Sequence, residues 1–173
     1  FNHIGDFSMQ WQDVIKNGEK SRFAEWFHIN KFPVSYDEIS LEQAENLTYE
    51  VFAKTPHMPK LNTANPEVQD YLLEIAKYWI EQFDIDAWRL DVADELPMNF
   101  LRGIRKNLDS HHKQVMIGEV WEDASNKIAY DERRQYTVGD NLTGVMGYPT
   151  RIFVMDLLES VKSSQDIKKY CNE

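Results

Sequence analysis

Cysteine is almost absent from this sequence: Cys171 is the only one in 173 residues, so no intrachain disulfide can form. A single cysteine leaves the redox compartment undetermined. Glycine is also scarce, with seven residues, and none belongs to a glycine-rich phosphate-binding pattern. No apolar run approaches the roughly 20 residues that a transmembrane helix requires. These absences exclude a disulfide-stabilised scaffold, a P-loop nucleotide site and a helical membrane protein.

Positive charge is likewise in deficit, with 19 Lys and Arg against 29 Asp and Glu, giving a net charge of -10. This balance argues against nucleic acid or an anionic membrane as a partner. A hydrophobic content of 42% and an aromatic content of 13% are enough for the core of one ordinary domain. Because the chain begins at Phe1 without Met, we expect an excised piece of a longer protein, and missing targeting signals carry little weight.

Residues 85–95 organise the sequence, and the alternation over 86–92 predicts a strand. Alternate strand side chains share a face. The two faces carry Ala87, Arg89 and Asp91 on one side and Trp88, Leu90 and Val92 on the other. A buried parallel strand should be apolar on both faces, and burying unpaired charge is costly. Two interpretations follow: a structural Arg–Asp pair at a strand end, or a catalytic carboxylate held by an arginine.

Residues 115–121 predict a second strand that also ends in an acid. Its alternation places Val115, Ile117, Glu119 and Trp121 on one face. When a helix joins two parallel strands, their carboxyl ends lie at one rim of the sheet, so Asp91 and Glu119 should meet there. Two carboxylates on either side of a bond are what glycoside hydrolysis requires.

Four short motifs support this hypothesis. Residues 87–91 (AWRLD) and 118–121 (GEVW) are similar to the nucleophile and acid/base motifs of the α-amylase family, glycoside hydrolase family 13. Residues 1–3 (FNH) resemble the end of that family's third-strand motif. Residues 58–62 (MPKLN) resemble a signature of its neopullulanase, cyclomaltodextrinase and maltogenic amylase branch. The motifs occur in the family's order and span essentially the whole chain.

The resemblance implies retaining hydrolysis of α-glucosidic bonds in maltodextrins, cyclodextrins or pullulan. Asp91 would be the nucleophile, Glu119 the general acid and base, and Arg89 would keep Asp91 ionised and oriented. To hold its proton, Glu119 needs a raised pKa, and its apolar neighbours Val120 and Trp121 are suited to that.

The resemblance also implies a set of substrate-binding residues: His3, Lys60, Asp94, Glu95 and Trp121. His3 would contact the sugar at the cleaved bond, and Trp121 would stack on an acceptor sugar. Asn2 aligns with a calcium ligand of many α-amylases. Since the neopullulanase branch often lacks that site, we interpret Asn2 as structural and expect no required cofactor, with calcium possible.

The rest of the chain predicts an α/β fold. Strands near 1–3, 86–92, 115–121 and 143–148 correspond by resemblance to about strands three to six of a (β/α)8 TIM barrel, which makes the chain a partial barrel. Residues 4–63 would form a domain-B-like excursion whose aromatic rings mostly pack. Helices are predicted from Asn65 to about Phe83, over 97–109 and from Ser163, with a core-facing apolar stripe over 152–161. Residues 124–140 are expected to be an exposed helix or loop.

Two alternatives to this activity remain. One is a non-catalytic amylase-like module for protein interaction, and the other is a transglycosylase or α-1,6-glucosidase of the same family. The expected partners are an oligosaccharide and the missing remainder of the barrel, with a second copy of the chain as a further candidate, while nucleic acid and membrane are not expected. Family resemblance favours a cytoplasmic location. The 173-residue piece alone is expected to be inactive.

Overall fold

The computed structural model describes residues 1–35, 47–110, 114–125, 127–129, 132–160 and 168. Four helices are assigned in this part of the chain: α1 (Met9–Asn17), α2 (Pro66–Phe83), α3 (Met98–Leu108) and α4 (Tyr148–Ser160). Five strands are β1 (Ala87–Leu90), β2 (Val115–Gly118), β3 (Ile128–Ala129), β4 (Glu132–Arg133) and β5 (Gly144–Val145). Short 3₁₀ turns occupy Gly18–Lys20, Ala24–Trp26, Phe52–Lys54 and Ala93–Glu95. Cys171 lies outside the described residues, and so does Ser163, where a further helix was predicted to begin.

Three strands form a parallel sheet in the order β1-β2-β5. In this sheet Leu90 of β1 lies beside Gly118 of β2, and Gly118 lies beside Val145 of β5. Helix α3 links β1 to β2, as the α/β prediction requires. All three strands are shorter than predicted. In β1 the left-handed conformation of Val92, with φ 49°, prevents the strand from reaching residue 92.

The predicted strand at residues 1–3 is wrong. His3 makes only a single antiparallel bridge, to Lys60, so no ladder forms. The Phe1 ammonium lies 3.4 Å from the Asp91 carbonyl oxygen, so this segment runs past the end of β1 without joining the sheet. An isolated bridge satisfies too few backbone groups to define a strand.

Helix α2 begins and ends where the sequence predicts. The Asn65 side chain accepts the Glu67 N–H at 2.9 Å, and Pro66 occupies the first turn. The helix stops at Asp84, which is left-handed and donates its N–H to Ile80. The buried stripe consists of Val68, Leu72, Ala76 and Ile80. This stripe packs α2 towards α3 behind the sheet.

Two predictions about the second half of the chain have different outcomes. The described residues leave the apolar stripe of α4 uncovered, with Leu158 73% exposed, and Val161 lies outside them, so the core-facing role of this stripe stays a prediction. The prediction that residues 124–140 are simply an exposed helix or loop is wrong. They include the β3–β4 hairpin, after which Arg134 and Tyr136 are buried. Burial of Arg134 is possible because it donates to the Leu96 carbonyl at 2.5 Å.

The described part of the excursion over 4–63 packs around Trp11, which is fully buried. Its ring lies 4.8 Å from Phe27 and 4.6 Å from Tyr49, centroid to centroid. The expectation that most of these aromatic rings are packing residues is therefore confirmed. That the excursion is domain-B-like stays a prediction. Within the described residues, no helix combines the length and the apolarity needed to cross a bilayer.

Candidate active site

The two predicted catalytic acids lie at one rim of the sheet. Asp91 follows the last residue of β1 and Glu119 follows the last residue of β2. Because Leu90 and Gly118 are register partners in a parallel pair, the residues after them emerge side by side. The expected placement of both acids at the carboxyl ends of neighbouring strands is confirmed, while their roles stay predictions.

Arg89 connects the two acids through a single guanidinium group. Its Nη1 lies 2.5 Å from Asp91 Oδ1, and its Nη2 lies 2.8 Å from Glu119 Oε1. The hydrogen bond to Asp91 raises the pKa of Arg89 above its usual value. The contact of the same guanidinium with Glu119 is what the structural interpretation, an Arg–Asp pair alone, does not predict.

Glu119 is buried and surrounded by hydrogen-bond donors. The Val92 N–H donates to its Oε2 at 3.1 Å, and the Tyr148 hydroxyl donates to its Oε1 at 3.0 Å. Burial acts to raise the pKa of Glu119. The hydrogen bonds from Val92, Trp121 and Tyr148 outweigh burial, and with the charge of Arg89 they lower this pKa to about 2. The expected raised pKa is therefore wrong for this arrangement, because donors from elsewhere in the chain stabilise the ionised carboxylate.

A sharp loop after β1 aims its backbone at Glu119. Val92 is left-handed, and its N–H points to the carboxylate. Gly118 allows this loop to come close, because a Cβ there would lie 2.4 Å from Leu142 Cδ1 and 3.0 Å from Ala93 Cβ. The motif residue before Glu119 is thus a glycine for a packing reason.

Tyr148 is a site residue that the sequence reasoning missed. It is the first residue of α4, just past the end of β5, and its hydrogen bond to Glu119 raises its own pKa. The sequence contained a signal for this residue. A tyrosine that follows a third parallel strand should reach the same rim of the sheet as Asp91 and Glu119.

Three of the predicted binding residues, His3, Lys60 and Glu95, form one hydrogen-bonded group together with Asn2. Lys60 Nζ and Asn2 Nδ2 lie 2.9 Å and 2.6 Å from Glu95 Oε2. His3 Nδ1 lies 2.6 Å from Asn2 Oδ1, and burial lowers the His3 pKa. The His3 ring stacks on Phe52 with 4.7 Å between centroids and 1° between planes. Phe52 is a second residue that sequence reasoning did not assign to the site.

Asp94 serves as an anchor for the neighbouring loops. Its two carboxylate oxygens accept hydrogen bonds from Lys127 and from the Tyr136 hydroxyl. Lys127 also contacts Glu122 at 2.9 Å and so joins the loop after β1 to the loop after β2. Burial, followed by the bond to Asp94, raises the pKa of Tyr136 to about 12. These contacts tie Asp94 to the protein, and its predicted contact with substrate remains a prediction.

Glu119 lines a cavity of about 80 Å³. Its lining consists of Phe52, Val92, Asp94, Glu95, Glu119, Trp121 and Glu122. Trp121 is 58% exposed and lies 6.5 Å from Tyr148, centroid to centroid. The site therefore combines two carboxylates, one cation and exposed aromatic surface, which are groups suited to acid/base and nucleophilic chemistry on a sugar.

Comparison with known proteins identifies the family. The family model described as "Alpha amylase, catalytic domain" matches residues 1–172. The chain belongs to the α-amylase family. It is 48% identical over 150 residues to the intracellular maltogenic amylase of Bacillus subtilis (strain 168), covering 86% of this chain and 22% of that protein. It is 45% identical over 150 residues to a cyclomaltodextrinase of Geobacillus thermopakistaniensis (strain MAS1), covering 86% and 23%.

Among solved structures, the ligand-free cyclic α-maltosyl-(1→6)-maltose hydrolase from Arthrobacter globiformis superposes with a TM-score of 0.81. The two sequences are 26% identical, and the match covers 99% of this chain and 36% of that one. The chain thus spans between a fifth and a quarter of the length of these curated relatives. Resemblance to the α-amylase family and to its maltogenic amylase and cyclomaltodextrinase members is confirmed.

The expectation that this α-amylase-family chain requires no cofactor, with calcium possible, stays a prediction. In the part of the chain that the structure describes, no three His, Cys, Asp or Glu side chains are grouped to hold a metal ion. The Asn2 amide is engaged on both sides, with Glu95 and with His3. These contacts account for the burial of Asn2 in structural terms and leave calcium untested.

Proposed function

We propose that the full-length protein carrying this chain is a retaining glycosidase that hydrolyses α-glucosidic bonds. The observation that carries the proposal is the contact of one guanidinium, Arg89, with both Asp91 and Glu119 at the ends of paired parallel strands. This places a candidate nucleophile and a candidate acid at one rim with a cation between them. Membership of the α-amylase family supports the same assignment.

In the proposed mechanism Asp91 attacks the anomeric carbon while the protonated form of Glu119, which the donors around it disfavour in this chain, donates a proton to the departing glycosidic oxygen. The carbon–oxygen bond breaks, and a covalent glycosyl ester on Asp91 forms. Glu119, now ionised, removes a proton from water, and the resulting nucleophile displaces Asp91 with a second inversion. The sugar is released with its original configuration, and Glu119 regains its proton.

For the substrate we propose maltodextrins, cyclodextrins or pullulan. The relatives with the highest identities above are named a maltogenic amylase and a cyclomaltodextrinase, which supports this class. Within the cavity, Phe52 and the exposed Trp121 offer apolar ring faces on which sugar rings can stack. The polar group around Glu95 supplies donors and acceptors for sugar hydroxyls.

Substrate preference tests the branch assignment. Residues 58–62 lie beside the site, since Lys60 contacts Glu95, and we expect the full-length protein to cleave β-cyclodextrin faster than soluble starch. Reducing-end assays on β-cyclodextrin, pullulan and starch measure the three rates. Proton NMR of the first products identifies the anomeric configuration of the sugar released. A clear preference for starch would count against the branch, and a β-configured first product would rule out retention.

The alternatives lead to different outcomes in the same assays. A non-catalytic interaction module would cleave none of the three glucans, and the intact contacts among Arg89, Asp91 and Glu119 argue against it. A transglycosylase would produce longer oligosaccharides from a short maltodextrin. An α-1,6-glucosidase would release maltotriose from pullulan. Transfer and α-1,6 cleavage remain compatible with the site, because both use the same pair of carboxylates.

We further propose that β1, β2 and β5 are strands four to six of a (β/α)8 barrel and that residues 1–3 follow its third strand. The name of the Bacillus subtilis relative supports a location inside the cell.

The 173-residue chain expressed alone is expected to have no glycosidase activity. On the open sheet face, Val115 and Ile117 are 41% and 39% exposed, and bare apolar surface favours association. We therefore expect oligomers or aggregates. An assay with a chromogenic maltoside and light scattering on the same sample checks both points. A stable monomer with measurable turnover would contradict this expectation.

A further inference from the structure

The segment that follows the third strand contacts both charged partners of the site. Met146 Sδ lies 3.3 Å from Arg89 Nε, and the Tyr148 hydroxyl lies 3.0 Å from Glu119 Oε1. Two further backbone bonds fix this segment: Met146 N–H donates to the Gly118 carbonyl, and Tyr148 N–H donates to the Met146 carbonyl. Residues 146–148 are therefore held rigidly against the end of β2.

The groups that face Glu119 come from several elements. Its hydrogen-bonding partners are Arg89, Val92, Trp121 and Tyr148. The charged group beside it is Asp91, and the other acids on the same cavity are Asp94, Glu95 and Glu122. The guanidinium, the backbone N–H and the indole N–H can only donate hydrogen bonds. Each of them therefore favours the ionised carboxylate and gains nothing from the acid form.

Tyr148 differs from these partners, because a phenolic hydroxyl can both donate and accept. When Glu119 is ionised, the hydroxyl donates to Oε1, which is the bond observed. When Glu119 carries a proton on Oε1, the same hydroxyl can rotate and accept from it without moving the ring. Among the hydrogen-bond partners that the structure describes, Tyr148 alone can hold Glu119 in both protonation states.

We propose that Tyr148 is a positioning residue that keeps the Glu119 carboxyl aligned through the protonation and deprotonation steps of the reaction. This inference rests on the proposed function, in which Glu119 alternates between acid and base. The hydroxyl transfers no atom to substrate. It fixes the plane of the carboxyl group, so that rotation of the O–H on Oε1 is enough to turn its proton from the Tyr148 hydroxyl to the glycosidic oxygen.

The effect on pH dependence has a definite sign. A hydrogen bond to the charged carboxylate is stronger than one to the neutral acid, so loss of the Tyr148 hydroxyl raises the pKa of Glu119. Glu119 must be protonated to act as the acid, and the upper pH limit of kcat/KM follows its pKa in the free enzyme. In Tyr148→Phe that limit should move to higher pH, by about 0.5–1 unit given that the phenol is partly exposed.

The test compares wild type, Tyr148→Phe and the control Tyr78→Phe in the full-length protein, because Tyr78 is an exposed tyrosine on α2, away from the site. Each protein is assayed on β-cyclodextrin, whose leaving group needs a proton, and on an aryl maltoside with a strongly acidic phenol, which does not. We expect Tyr148→Phe to lower kcat/KM on β-cyclodextrin about tenfold and to shift its upper pH limit. On the aryl maltoside kcat/KM should be nearly unaffected, because it reports formation of the glycosyl-enzyme, for which this leaving group needs no proton. Tyr78→Phe should match wild type.

An unshifted pH limit, or equal losses on both substrates, would overturn the positioning role, since general damage to the site does not distinguish leaving groups. If wild type cleaves neither substrate, the proposed function fails first and this inference fails with it. The two failures are therefore distinguishable in one experiment.

Discussion

Asp91→Asn and Glu119→Gln are each expected to lower kcat/KM of the full-length protein on β-cyclodextrin by at least about 10³-fold. Asparagine cannot form the glycosyl ester, and glutamine can neither donate the proton nor remove one from water. Both replacements keep the size and the Arg89 contacts of the original side chain, so folding should be preserved. Melting temperature measured beside the kinetics checks that point.

The two variants should differ on an activated aryl maltoside. Glu119→Gln should still form the glycosyl-enzyme with that substrate, because its leaving group needs no proton, and should give a burst of phenol followed by slow turnover. Asp91→Asn should give no burst. Asp70→Asn and Glu74→Gln, at exposed positions of α2, are the matched controls. Near-normal activity in either site variant would remove that residue from the mechanism.

Arg89→Met is expected to lower kcat/KM by about 10²–10³-fold. Its removal leaves Asp91 and Glu119 facing each other without the cation that now contacts both. Since Arg89 also helps to lower the pKa of Glu119, that pKa should rise and the upper pH limit should move upward. Arg89→Lys keeps the charge but cannot span both carboxylates with a rigid planar group, so it should recover only part of the loss.

Arg102→Met provides the comparison for Arg89→Met. Arg102 pairs with Asp140 at 2.6 Å, and the two side chains are about as exposed as those of Arg89 and Asp91. Exposed pairs of this kind contribute roughly 0–1 kcal/mol to stability, so activity should persist. If both arginine variants lose activity equally, the Arg89 contacts have no special role.

The sequence predicted those parts of the fold that depend on local pattern. Helix α2 was predicted from its N-cap, its first-turn proline and the spacing of its apolar residues. All three signals belong to the helix itself and need no contact with a distant part of the chain. The meeting of Asp91 and Glu119 was predicted because parallel strands joined by a helix always bring their carboxyl ends to one rim. Both predictions need only the chain's own periodicity and a topological rule.

Contacts between distant residues could not be predicted in this way. The donors Val92 and Tyr148 lie 27 and 29 residues from Glu119, and Arg134 reaches Asp94 and Leu96 across 40 and 38 residues. The pKa of Glu119 was therefore predicted with the wrong sign from its two neighbours in sequence. Coverage of the α4 stripe likewise depends on what packs against it, which no spacing rule reports.

The left-handed turn at Val92 has a consequence for how this site can change. A β-branched residue with φ 49° and ψ 42° costs about 1–2 kcal/mol relative to ordinary backbone. The same turn aims the N–H that orients Glu119, so the strain and the alignment cannot be separated. Selection for thermal stability alone is expected to replace Val92 early by a residue without this strain. Such variants would be more stable than the parent protein but would turn over substrate more slowly.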